Sequence, residues 1–316
     1  MLRVTVDIFS GRPNPTWVID DDREVQAVLR EIATSPEAIS QAAPDVEMLG
    51  YRGVSLELLT DDLEKEYDLP ARFVIANGTS GDESKGREVA TRLVENMLKF
   101  SPQDETVATL TPQDEGLRRL ILDELASFPT AMAKAPSAIY LSEPDSLKPE
   151  KKVTDQPEDA EVAAAAICYY ETGWFNPGFW NNDSYVRSNN NCYNYARNWK
   201  TNTFAQPGRA SGDYPNPMEC SAVRNAALSD GAHLRYHCFP HSERPRWLMA
   251  LVIWPGWDYH WYRKQREGFW GHKPGSTLAK NTDNSGRVIY DPRTCDRGGY
   301  TVFCAFFYAC RSMRIW

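Results

Sequence analysis

The stretch from Glu143 to Asp159 divides this chain. Glu143, Asp145, Lys148, Glu150, Lys151, Lys152, Asp155, Glu158 and Asp159 are interleaved there with Pro144, Pro149 and Pro157. Such a segment buries little apolar surface, so it reads as a solvated linker. The two sides of it differ in kind. All seven cysteines, all five histidines and nine of the ten tryptophans follow Ala160. A chain of 316 residues is comfortable for two domains. The boundaries implied are a module over residues 1–128, a charged, proline-containing linker over 129–161 and a second domain over 162–316.

The first module reads as α+β. Leu2–Phe9 alternates and is β-branched, and Thr16–Ile19 is a short second strand after the turn-rich Ser10–Pro15. Asp20, Asp21 and Asp22 can cap a helix over Arg23–Thr34, whose apolar positions Val25, Val28, Leu29 and Ile32 recur at helical spacing. Tyr51–Leu59 and Ala71–Ile75 read as further strands. Asp82–Phe100, with Val89, Leu93, Met97 and Leu98 near one side, and Glu115–Ala126 read as helices. The module holds no Cys and no His, so it offers little to nucleophilic or metal chemistry.

Ala138–Leu141 is a short apolar patch. In the second domain, Glu161–Tyr170 reads as a helix and Phe175–Asn191 as an ordered loop. Tyr193–Lys200 starts a helix at Cys192, and Pro217–Leu228 is a second helix. Trp247–Trp254, Tyr259–Lys264, Gly268–Gly271, Arg287–Tyr290 and Tyr300–Ala309 read as strands. Helices come first and antiparallel strands after.

The stretch Asn189-Asn190-Asn191-Cys192-Tyr193-Asn194 places a thiol at a helix start, and His260 and His272 follow beside strand-like runs. Only a thiolate is a good nucleophile, and a helix N-terminus or a neighbouring imidazole lowers a thiol pKa. In such a site His260 takes the proton of Cys192 and His272 orients His260. The amides of Asn190 and Asn191, with the backbone at Cys192, face a developing oxyanion. Asp291 is a competing third member. Each piece also has a plainer explanation. Cys192 fits a buried small hydrophobe, His260 an ordinary strand histidine, His272 a turn, and the Asn run a helix cap.

The order Cys at a helix start, His on a core strand and a polar residue on the next strand resembles the papain-like fold, in its NlpC-type and CHAP amidase branches, over about residues 165–316. The chain departs from those families at the nucleophile, where Asn191-Cys192-Tyr193-Asn194 stands in place of Asp-Cys-Ser-Gly. The resemblance implies a C-terminal papain-like domain. It also implies a cysteine peptidase or amidase, a thiol hydrolase acting on a peptide or peptidoglycan-like amide substrate without a cofactor.

Two readings from other classes stand beside it. One is a non-catalytic, disulfide-stabilised binding module, in which tryptophans and tyrosines around Trp254–Trp270 line a groove. The other is a metal-binding protein: a helix over His233–His241 would put His233 and His237 on one face, with His241 supplied by a turn after Pro240. Seven cysteines fit either an exported protein with up to three disulfides and a free thiol or a cytosolic one with all of them reduced. The net charge of -8 argues against nucleic acid as the main partner. No apolar run approaches the ~20 residues that span a bilayer, and the N-terminus lacks the apolar core and cleavage site of a signal peptide. Nothing in the sequence sets the oligomeric state.

Overall fold

Leu2, Val4 and Val6 alternate with Arg3 and Thr5, and in the computed structural model all three apolar side chains are sealed from solvent. The structure describes residues 1–40, 48–102, 105–128, 169–235 and 241–316. The expected linker, the Ala138–Leu141 patch, most of the expected helix at Glu161–Tyr170, and Cys168, His237 and Cys238 lie outside them. The chain forms two compact units, Met1–Ala135 and Pro136–Trp316. Both combine helices with an antiparallel sheet, so the α+β class holds.

The elements of the first unit are β1 (Leu2–Asp7), β2 (Thr16–Ile19), α1 (Asp22–Ala33), β3 (Ile39–Ser40), β4 (Gly53–Leu58), α2 (Asp61–Tyr67), β5 (Arg72–Ile75), α3 (Glu83–Glu95), α4 (Glu105–Leu110) and α5 (Glu115–Ser127). The sheet runs β2-β1-β4-β5-β3. Val4 sits opposite Trp17 on one side and Leu56 on the other, which stacks the apolar positions into one core face. Asp21 caps α1 by accepting from the N–H groups of Arg23 and Glu24, and Asp82 and Asp114 cap α3 and α5 in the same way. Val25, Val28, Leu29 and Ile32 are buried as their spacing predicts. Leu98 is not: α3 ends at Glu95, and the Met97–Lys99 3-10 turn rotates Leu98 outward while Met97 stays inside. Arg52 is wholly buried and reaches Asp7 Oδ1 at 2.5 Å and the Phe9 carbonyl at 2.8 Å, so its charge is paired.

The second unit holds α6 (Gly178–Asn181), α7 (Ser184–Ser188), α8 (Cys192–Arg197), α9 (Cys220–Ser229), β6 (Ala232–Leu234), β7 (Trp247–Trp254), β8 (Asp258–Lys264), β9 (Trp270–His272) and β10 (Val302–Ala309). The sheet order is β6-β10-β7-β8-β9, so β10 is inserted between β6 and β7. β7 is buried from Leu248 to Trp254, and α8 and α9 pack on the sheet. The core joins Cys192, Tyr193, Leu251, Ile253, Trp261 and Phe307, among others. Each fully buried large apolar side chain contributes roughly 1.5–3 kcal/mol. Cys220 at the start of α9 is disulfide-bonded to Cys304, which lies where the β10–β7 register shifts.

Several local expectations change. Phe175–Asn191 is not a plain loop, because Pro177 and Asp183 start the short helices α6 and α7. α8 stops at Arg197, where Asn198 turns left-handed (φ 58°). Arg287–Tyr290 forms no strand; Val288 makes an isolated bridge with Thr282, and Ile289 bonds through its backbone to Asn281 and Trp270.

Candidate functional site

Asn191 starts α8. Its side chain accepts from the N–H groups of Tyr193 and Asn194, and the Asn194 side chain accepts in return from the Asn191 N–H, a reciprocal capping box. The amide nitrogen of Asn191 donates to the Ala205 carbonyl (2.8 Å). Asn190 donates to the Val186 carbonyl (2.8 Å) and to Asn202 Oδ1 (2.7 Å), and accepts from the Asn202 N–H. The amide nitrogens of both proposed oxyanion residues therefore hold the 198–206 loop in place.

α8 packs on β8, so Cys192 and His260 do belong to neighbouring elements. The two histidines meet: His260 Nε2 and His272 Nδ1 are 2.8 Å apart, and His272 Nε2 lies 2.9 Å from the Thr282 carbonyl. A carbonyl only accepts, so His272 carries its proton on Nε2 and accepts at Nδ1, and His260 donates from Nε2. The Tyr262 ring stacks on His272 at 5.1 Å. On the other side of His260, Tyr300 donates to the buried Asp258 carboxylate at 2.5 Å.

This cluster is sealed. Cys192 and His260 are wholly buried, and His272 is 1% exposed. Burial pushes the Cys192 thiol well above its ordinary range, and the charge of Asp258 adds to it. A hydrogen bond from the Trp261 backbone and the charge of Lys273 oppose the rise without cancelling it. Burial, then the charge of Lys280, holds His272 well below the usual imidazole range. A protonated thiol without access to solvent behaves as a small apolar side chain.

Asp291 serves elsewhere. Burial raises its pKa, but hydrogen bonds and charge from Arg293 outweigh this and hold the carboxyl below its usual range. His233 lies on β6, opposite Tyr308, so the helix that would have aligned it with His237 does not form there. His241 begins a 3-10 turn, and no group of three or more metal-ligating side chains occurs among the described residues. Most of the aromatics expected to line a groove are inside: Trp254, Tyr259, Trp261, Tyr262 and Trp270 are buried, and Trp257 is half-buried.

Sequence reasoning did not single out Lys273. It is wholly buried in the strand end after His272, and its ammonium donates to the carbonyls of Arg187, Asn190 and Gly275, the last at 2.6 Å. It joins α7, the Asn run and β9. Its one sequence signal is its place between a histidine and Pro274-Gly275.

No family model and no solved structure matches the chain. A curated protein does: Insoluble matrix shell protein 1 of Ruditapes philippinarum is 49% identical over 141 residues, which span 44% of this chain and 90% of that protein. This overturns the resemblance to the papain-like NlpC-type and CHAP amidase branches, and with it the thiol hydrolase, cysteine peptidase and amidase reading. The disulfide expected of a non-catalytic module is present. The order Cys, His, polar residue is a loose criterion, because any helix laid on an antiparallel sheet can satisfy it. By its similarity to nearly the whole length of that relative, the chain belongs to the family of Insoluble matrix shell protein 1.

Proposed function

We propose that this protein is a non-catalytic structural component of an extracellular matrix. The observation that carries the reading is the 49% identity to a protein named as an insoluble shell matrix protein, over 90% of that protein's length. The Cys220–Cys304 disulfide suits an exported chain, since such bonds persist in oxidising compartments. The sealed cluster suits a structural part as well. In this reading Cys192, His260 and His272 fill and orient the core beneath α8, and Asn190 and Asn191 anchor its covering loop. The two units act as separate bodies joined through the charged segment.

Fractionation tests the reading. Antibodies against the purified chain should find it in the extracellular material of the source tissue that remains after detergent extraction. Recovery only from the soluble cell lysate would overturn the proposal. So would an amide-hydrolysing activity of the pure protein that Cys192→Ala abolishes while near-ultraviolet circular dichroism stays unchanged.

A further inference from the structure

Trp199 stands just past the end of α8, is 38% exposed and is crowded by cations. The Arg197 guanidinium lies 5.4 Å from its ring centroid and the Arg314 guanidinium 5.9 Å. Arg197 also donates to the Arg311 carbonyl at 3.1 Å, which brings the exposed Arg311 and Arg314 backbone to the same place. Beside them Lys200 sits 3.5 Å above the exposed Phe179 ring. Among the described residues, no carboxylate forms an ion pair with Arg197, Lys200, Arg311 or Arg314. Glu243 feels the charge of Arg311 but gives its Oε2 to the Ser312 N–H and hydroxyl. Burial, then the charge of Arg314, pulls the Arg197 pKa down. Like charges gathered without a counter-ion repel one another, so an anionic partner would relieve the repulsion at this surface. Arg197 gives its Nε and Nη2 to the Met313 and Arg311 carbonyls, so the exposed Arg311 and Arg314 are the side chains placed to grip a carboxylate.

The chain itself carries the matching charge. Residues 169–316 hold 18 Lys and Arg against 11 Asp and Glu, whereas residues 1–128 hold 13 against 25. On α2, Asp61, Asp62 and Glu66 are exposed, and so is Asp68 just after it. α2 packs on α1, whose start is flanked by the exposed Asp20, Asp21 and Asp22. None of these carboxylates forms an ion pair among the described residues. Net surplus on both sides persists after the internal pairs are made, so each unit presents what the other lacks.

We infer that the cationic Trp199 face docks on the acidic α1–α2 face of a second copy of this chain. The inference rests on the structural reading above and adds to it the contact through which copies would join. Such a contact is heterologous: a patch on the second unit meets a different patch on the first unit of the next copy. Repetition gives an open filament or a ring rather than a closed dimer.

The test is the mass of the full chain by sedimentation velocity and light scattering. In about 0.01 M salt, where charges act over ~30 Å, the weight-average mass should at least double from that of the 35.9 kDa chain. In about 1 M salt, where the range is ~3 Å, it should return to one chain. Two neutralised variants, R311Q/R314Q and D61N/D62N/E66Q, should each remain single at low salt, with circular dichroism as the folding control. Mixed one to one they should form a dimer that grows no further, because each retains one intact face. The inference is overturned if the wild-type chain stays single at low salt, if R311Q/R314Q associates as the wild type does, or if the mixture stays single. A chain that stays single here yet is found in the detergent-resistant matrix removes this contact and leaves the structural role standing.

Discussion

His272 fixes the tautomer of His260: its Nε2–H is given to the Thr282 carbonyl, so its Nδ1 accepts the His260 Nε2–H across 2.8 Å. The arrangement works only while His272 is neutral, because an imidazolium has no acceptor nitrogen. Burial and the nearby Lys280 charge hold the folded-state pKa well below the ordinary value of 6.5. The unfolded chain therefore binds this proton first as the pH drops. The contribution is full above about pH 6.5 and is lost below it, at up to about 1.4 kcal/mol per pH unit. Urea midpoints of the wild type should fall from pH 7.5 to pH 5 more steeply than those of His272→Asn. Equal slopes would mean that the pair is not held neutral.

Cys192 should be inert in the native protein. Its burial and raised pKa remove both the access and the thiolate that alkylation needs. Among the described free thiols, iodoacetamide followed by mass spectrometry should label the half-buried Cys295 first, and slowly, since burial raises that thiol to about 11. Cys192 should react only after denaturant is added. Rapid native labelling of Cys192 would show that the cluster opens to solvent.

Lys273→Met should destabilise the second unit by about 3 kcal/mol, because three buried carbonyls lose a charged donor together. Lys273→Arg should not rescue it, since a planar guanidinium cannot reproduce three donors radiating from one atom. Urea denaturation of both variants measures this. A loss below about 0.5 kcal/mol would place the clamp among the dispensable contacts.

The two units should melt independently if the charged stretch is a linker. Limited proteolysis is expected to cut first within residues 129–161, as the composition suggests, and to leave two fragments with separate cooperative transitions. A single transition, or first cuts inside Trp247–Lys264, would argue for one cooperative body.

The elements with strong local signals were legible in the sequence. Thr16–Ile19 and Trp247–Trp254 are strands over those ranges, and the aspartates before α1 cap it as expected. α2 went unseen because it is almost wholly charged and offers no apolar period. β6 is three residues long and owes its form to pairing with β10, a partner some 70 positions away. The site was half legible. Order along the chain put Cys192, His260 and His272 on packed elements, and the two histidines do bond. Their depth was not, since alternation tells which residues share a strand face but not whether a helix and a loop cover it. A sealed triad and an open one share the same letters, which is why the hydrolase reading arose.

β10 lies inside its sheet, between β6 and β7, yet almost everything it touches precedes it by tens of residues. Until residues 302–309 have been synthesised, β7 keeps one edge bare along an eight-residue apolar run, and Cys220 has no Cys304 to bond. The first unit faces no such wait, for its described strands lie within residues 2–75. Assembly of the molecule is thus staggered in time. The N-terminal body can form while the chain is still growing, and the C-terminal one must close in a late step of high contact order, with an unsatisfied strand edge open to other chains in the interval.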